Sequence, residues 1–260
     1  MLIVVSPAKA LDFESPLATK KYTVPTMMDE ARQLVSIMSR QSPDDLARLM
    51  SISPSLAELN FERFQDWEPP TTPGPARPAV LAFNGDTYIG LDAANSFDER
   101  DFTQAQKVLR ILSGLHGVLR PLDLIQPYRL EMGSKVEHGR GGDLYSFWGD
   151  KVTDQLNRDL AKSPGTPALV NLASNEYFGA VQPERVDGRI VTPKFLDKQG
   201  DGDFKVISFF AKRARGAMAG WIVRERITTI SALTDFTGDG YEFAPDRSTP
   251  DAPVFTRIAA

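Results

Sequence analysis

The stretch ALVNLASNEY, Ala168 to Tyr177, opens with a short apolar run suited to the centre of a sheet covered on both faces. It closes in a burst of polar residues. Ligands of α/β proteins gather at the carboxyl ends of strands, which makes Asn171, Ser174 and Glu176 candidate site residues. Leu2 to Ser6 repeats the pattern, an apolar strand ending in the polar turn Ser6-Pro7-Ala8-Lys9. A third apolar run, Ala79 to Phe83, is read as a strand and leads into Asn84-Gly85-Asp86, adding Asn84 and Asp86. Ser6 and Lys9 have the Ser-x-x-Lys spacing of acyl-transfer enzymes, but the companion Lys-Thr-Gly is missing. A desolvated Lys9 forming an imine is better motivated. In QPYRLEMG, Gln126 to Gly133, Arg129 and Glu131 fall on one side of an extended chain. Lys9, Glu131 and Glu176 are therefore the candidate catalytic groups. Caps and buried hydrogen-bond networks would use the same residue types.

The rest of the chain alternates helix and strand. Thr26 to Arg40 has the spacing of an amphipathic helix, with Met27, Ala31, Leu34, Val35 and Met38 on one face. The proline-rich stretch Trp67 to Pro78 reads as a semi-rigid crossing loop. Phe97 to Ser113 reads as a helix closed by Gly114, and Tyr145 to Leu160 as another. Arg189 to Leu196 and Phe204 to Phe210 flank the turn Asp197 to Asp203, a hairpin signal given Gly200 and Gly202. Ala211 to Arg226 is expected to be helical and Val254 to Ile258 a last strand. No repeat or linker interrupts this, so residues 1–260 are read as a single mixed α/β domain.

Composition excludes several chemistries. The 260 residues include no cysteine, which removes disulfides, thiol nucleophiles and thiolate-bound metals. Two histidines, His116 and His138, without zinc-ligand spacing or a Glu-x-x-His motif leave no expectation of a metal or cofactor. No run approaches the ~20 apolar residues of a membrane span, and no signal peptide is evident, so a cytoplasmic protein is expected. Net charge is −4, yet Lys205 to Arg226 carries six cations against Glu225 alone, a local +5. Screening over about 8 Å lets such a patch act on a polyanion despite the total. Lys212, Arg213 and Arg215 open the expected helix there, with Lys212 and Arg215 sharing a face. Cations at a helix start oppose its dipole, a cost compatible with a bound anion or with a solvated basic face.

SPDDLARLMSISPSLAELNFERF, Ser42 to Phe64, reads as two short helices joined by a very tight turn. Ser42-Pro43 and Ser53-Pro54 are both cap-plus-proline helix starts. Leu46, Leu49, Ile52, Leu56 and Leu59 supply apolar contacts, and Ala57 permits close approach. The segment resembles the helix-hairpin-helix motif of DNA-repair and replication proteins. There, free backbone N–H groups of the hairpin meet a DNA phosphate without reading sequence. On that resemblance Ser51, Ile52, Ser53 and Ser55 are the DNA-contacting residues. Ser51 and Ser53 stand where the motif has glycines, and their hydroxyls can also donate to phosphate.

SPAKALDFESP at the start, LAFNGDTYIGL, GVLRPLDLIQPYRLEMG, LYSFWGD, NLASNEYF and ISFFAKRARG together resemble, in order over the whole chain, the YaaA family of peroxide-stress resistance proteins. The resemblance implies a bacterial cytosolic protein that limits oxidative damage when peroxide and intracellular iron threaten DNA. It also implies an α/β domain with a helix-hairpin-helix element (about 42–64) beside a positively charged cleft, and binding to DNA. By position the hairpin is Met50 to Pro54, and Lys9, Lys212, Arg213 and Arg215 match the cleft cations. Two functions are expected to compete. One is a monomeric, sequence-independent DNA-binding protein. The other is a lyase- or glycosylase-like enzyme acting on damaged DNA or a nucleotide through Lys9 with Glu131 or Glu176.

Overall fold

LIVV, Leu2–Val5, forms β1, and all four residues are fully buried. A computed structural model of the protein describes residues 1–69, 72–139, 141–200 and 202–259. The further strands are β2 (Arg77–Pro78), β3 (Leu109–Ser113), β4 (Gly117–Leu119), β5 (Leu124–Ile125), β6 (Ala168–Leu172), β7 (Arg189–Val191), β8 (Lys194–Gln199), β9 (Glu242–Phe243) and β10 (Val254–Ala259). The helices are α1 (Met28–Met38), α2 (Pro43–Met50), α3 (Pro54–Gln65), α4 (Ala79–Ala82), α5 (Asp86–Leu91), α6 (Ala93–Ser96), α7 (Glu99–Val108), α8 (Leu144–Trp148), α9 (Lys151–Leu160), α10 (Asn175–Phe178) and α11 (Ser208–Arg224).

The principal sheet has the order β4-β3-β1-β6-β7. β1 runs parallel to β3, with Ile3 opposite Leu109, and parallel to β6, with Val5 opposite Leu172. A strand between two parallel neighbours is covered on both faces, which is why β1 is apolar throughout and β6 is apolar except at Asn171. From β1 the chain crosses to β3 on one side, and later returns to lay β6 on the other. The winding direction therefore reverses between β1 and β6, where open α/β sheets leave a crevice at the strands' carboxyl ends. A smaller sheet, β8-β10-β9, carries a ring cluster of Phe195, Phe236, Tyr241 and Phe255. The fold is mixed α/β, and no helix among the described residues is long and apolar enough to cross a membrane.

Several expectations are corrected. The helix expected over Phe97 to Ser113 ends at Val108, and Leu109–Ser113 is β3. All five of its residues are buried, whereas a helix would bury one stripe. Ala79 to Phe83 is one turn of helix, α4, because Phe83 N–H closes onto Ala79 O instead of joining a sheet. A short, wholly apolar run cannot distinguish the two by periodicity. The helix over Tyr145 to Leu160 is broken into α8 and α9 at Gly149, whose φ of 48° lies in the left-handed region. The hairpin expected across Asp197 to Asp203 shrinks to a bridge between Asp197 and Lys205. β8 pairs in parallel with β10 instead, and α11 already begins at Ser208. Pro70 and Thr71 of the expected loop and Asp201 of the expected turn lie outside the described residues.

The tight pair α2–α3 forms as its caps require. Ser42 and Asp45 make a reciprocal capping box, and the Ser42 hydroxyl and N–H hold the Asp45 carboxyl below the usual range. Ser53 Oγ accepts from Leu56 N–H at the start of α3. Ser51 adopts φ 52°, so the left-handed turn residue here is a serine. Ala57 is fully buried at the close approach, whereas Leu56 and Leu59 face solvent instead of the partner helix.

α5 and α11 touch backbone to backbone. A Cβ at Gly216 would lie 1.7 Å from Thr87 O, and one at Gly90 would lie 2.0 Å from Arg213 O. That contact fixes where the cations of α11 stand.

Candidate functional site

Ser6 extends β1 and Ser174 extends β6, side by side at the reversal point. Ser174 N–H donates to Ser6 Oγ at 2.9 Å, and the two hydroxyls are 3.3 Å apart. Tyr88 OH on α5 donates to Ser6 O at 3.1 Å, tying α5 to the same strand end. These bonds shape one wall of a cavity of about 410 Å³ lined by Ser6–Ala10, Asn84–Thr87, Glu131, Leu172, Ser174, Glu176, Tyr177, Lys212 and Arg215.

The lining carries three cations, Lys9, Lys212 and Arg215, and three carboxylates, Asp86, Glu131 and Glu176. Its formal charge is balanced. Glu131 is saturated, receiving Lys9 Nζ at 2.9 Å on one oxygen and Arg129 Nη2 at 3.0 Å on the other. Glu176 accepts Gly133 N–H at 3.1 Å on Oε1, and its backbone carbonyl accepts Tyr145 OH at 2.9 Å. Asp86, Lys212 and Arg215 make no side-chain hydrogen bond or ion pair with any described residue. Arg215 is half-buried, and burial lowers its guanidinium from the ordinary value. Tyr177 in the floor is buried, which pushes its hydroxyl well above its usual range.

The other sequence candidates fall elsewhere. Arg213 turns to the opposite side of α11 and pairs with Asp239 at 3.2 Å. It also lies in the second turn, not at the helix start, since α11 opens three residues before Ala211. Asn171 folds back on its own strand end: Oδ1 accepts Ala173 N–H at 3.0 Å and Nδ2 reaches Thr192 Oγ1 at 3.4 Å. Arg129 stands behind Glu131 with its buried Nε unpartnered. Ser51, Ile52, Ser53 and Ser55 sit together on the α2–α3 turn, and among the described residues none of 42–64 lines the cavity.

Two features escaped the sequence reading. Tyr177 belongs to the same polar burst as Glu176 and could have been added on that ground. Leu130 O packs against Gly114, and nothing near Gly114 in the sequence signals that contact.

A family profile described as peroxide stress protein YaaA matches residues 1–247. A UPF0246 protein from Tolumonas auensis (strain DSM 9187 / NBRC 110442 / TA 4) is 52% identical over 257 residues, covering 99% of this chain and 98% of that one. The chain belongs to the family of the peroxide stress protein YaaA.

Proposed function

We propose that the protein binds DNA through backbone phosphates, without reading sequence, as a cytoplasmic monomer that limits peroxide- and iron-driven damage. The observation that carries this reading is the start of α3, read as a helix-hairpin-helix. Ser53 and Ser55 N–H groups make no hydrogen bond to another described residue, and Ser51, Ser53 and Ser55 are all exposed. A twelve-residue helix adds the positive end of its dipole. Residues 42–64 hold four acids and two arginines, so attraction at a distance must come from elsewhere. The cations of α11 supply it.

The salt dependence measures how many cations act. Within Lys205 to Arg226, Arg213 pairs with Asp239, Arg226 pairs with Asp101 and Arg224 donates to Ser96 Oγ at 3.0 Å, leaving Lys205, Lys212 and Arg215 as the cations expected to meet phosphates. Three phosphate contacts give a log–log slope near about −2.7, a loss of roughly fortyfold between ~50 and ~200 mM salt. The double change Lys212→Ala, Arg215→Ala is expected to flatten the slope by about 1.8, equally for unrelated sequences. Fluorescence anisotropy reads both. A slope near zero in the wild type would remove the DNA-binding reading.

Ser51→Glu places a negative charge on the turn at an exposed position. DNA affinity is expected to fall at least about tenfold, with the melting temperature almost unchanged. Unaltered affinity in a folded variant would make the α2–α3 turn a packing element only.

A second reading, an enzyme acting on damaged DNA or a nucleotide, draws on Lys9, Glu131 and Glu176 lining one cavity. An imine-forming lysine needs a desolvated amine, yet Lys9 is 64% exposed and ion-paired to Glu131. Borohydride trapping on abasic-site DNA is therefore expected to give no covalent adduct. An adduct that disappears in Lys9→Arg would put the enzyme first.

A further inference from the structure

The cavity between the ends of β1 and β6 holds charges that the chain leaves uncompensated, and they fall into two groups. Among the described residues Lys212 and Arg215 have no partner, and Arg215 is half-buried on α11. Asp86 on α5 and the second oxygen of Glu176 after β6 receive no donor from any described residue. No ion pair joins one group to the other, although all line the same 410 Å³. Arg215 and Asp86 are partly buried, so their uncompensated charges are costly unless a ligand completes them, while the exposed Lys212 and Glu176 stand ready at the rim. A DNA phosphate meeting Lys212 and Arg215 would still leave Asp86 and the second oxygen of Glu176 without donors. What fits is a molecule anionic at one end and rich in hydroxyl or N–H donors at the other. The backbone contact at Gly216 holds the cations in place, and Pro7, Ala8, Leu172 and Tyr177 give an apolar floor for a ring. The volume lies within the range of small-molecule sites, and the position is where doubly wound sheets bind ligands.

We propose that this cavity binds a nucleoside monophosphate, its phosphate held by Arg215 and Lys212 and its sugar hydroxyls or base N–H groups by Asp86 and Glu176. An arginine fork and a lysine are the side chains suited to a phosphate dianion, and paired acceptors suit a ribose or base edge. The occupant has one of two sources: a free nucleotide, or a single nucleotide turned out of a DNA strand. This goes beyond backbone binding, since it requires neither the α2–α3 turn nor a second phosphate.

Isothermal titration calorimetry of the full chain with adenosine and thymidine 5′-monophosphates, adenosine and inorganic phosphate tests it. The monophosphates are expected to bind with Kd below about 1 mM, and adenosine at least about tenfold more weakly. Arg215→Gln and Asp86→Asn should each weaken the monophosphates about tenfold or more. Lys212→Ala, at an exposed position, serves if Arg215→Gln melts early. In the strand arm, a duplex with one unpaired nucleotide is compared with the fully paired duplex. If free monophosphates fail but the unpaired duplex binds at least about tenfold tighter, with Arg215→Gln erasing the difference, the occupant is an extruded nucleotide. Failure in both arms overturns the proposal. The titration with free monophosphates contains no DNA, so its outcome and that of the salt series are independent.

Discussion

Replacing Gly216 by alanine is expected to lower stability by about 3 kcal/mol, the reverse of its effect on an exposed helix. In a solvent-facing helix interior the same change gains about 1 kcal/mol, because glycine loses more backbone entropy on folding. At Gly216 the added carbon would stand 1.7 Å from Thr87 O and 2.8 Å from Leu91 N, both backbone atoms of α5. A side chain could rotate away; a helix backbone has to translate. Moving α5 also breaks Tyr88 OH from Ser6 O, and with it one wall of the cavity. For a chain of this size the melting temperature should fall by roughly 6–12 °C, measurable by calorimetry. Arg215, one residue away, should lose its position in the same step, so the variant should also blunt the nucleotide titration. A melting temperature raised by the alanine would mean that α5 and α11 do not touch as described.

Acid should destabilise the protein through His116. The residue is fully buried at the turn between β3 and β4, with Tyr128 edge-on at 5.4 Å and no hydrogen-bond partner on either ring nitrogen among the described residues. Burial pulls its pKa down to about 3, against about 6.5 in the unfolded chain. Between those values the unfolded chain takes up a proton that the folded chain refuses. Stability is therefore complete above pH 6.5 and is lost at about 1.4 kcal/mol per unit as pH falls toward 3. At pH 4.5 the loss amounts to about 2.7 kcal/mol. His116→Leu keeps the apolar contact and removes the proton site, so the gap between variant and wild type should widen by that amount from pH 7 to 4.5. Urea titrations across that range read it directly. Parallel curves would show that His116 is not the group that titrates.

Local chemistry was readable in the sequence wherever it closed on itself. Ser42 with Asp45, and Ser53 before Pro54, set the starts of α2 and α3 within a few residues of chain. Leu2–Val5 and Ala168–Leu172 were readable because a parallel central strand is a nearly continuous apolar run, broken here only at Asn171. Leu109–Ser113 was not, since its apolar residues continue the stripe of α7 and its partner Ile3 lies near the start of the chain. In the cavity, strand-end residues such as Ser6, Lys9 and Ser174 were found by their place after an apolar run. Arg213 falls outside the cavity because one helical residue is a turn of about 100°, enough to carry it round to Asp239. Asn171 also falls outside it, since an amide at a strand end caps its own backbone as readily as it meets a ligand. The Gly216-x-x-x-Gly220 spacing was the one available sign of the α5 contact, and its meaning lay in a helix about 130 residues earlier.

The central position of β1 also has a consequence for synthesis. LIVV leaves the ribosome well before either of its neighbours, Leu109 coming about a hundred residues later and Leu172 later still. At about 5–20 residues per second, its second edge stays unpaired for roughly ten to thirty seconds. Throughout that interval four apolar residues with open backbone edges are available to any other nascent strand. The assembly of this sheet is accordingly the step at which holding chaperones, translation speed and temperature should govern the yield of folded protein.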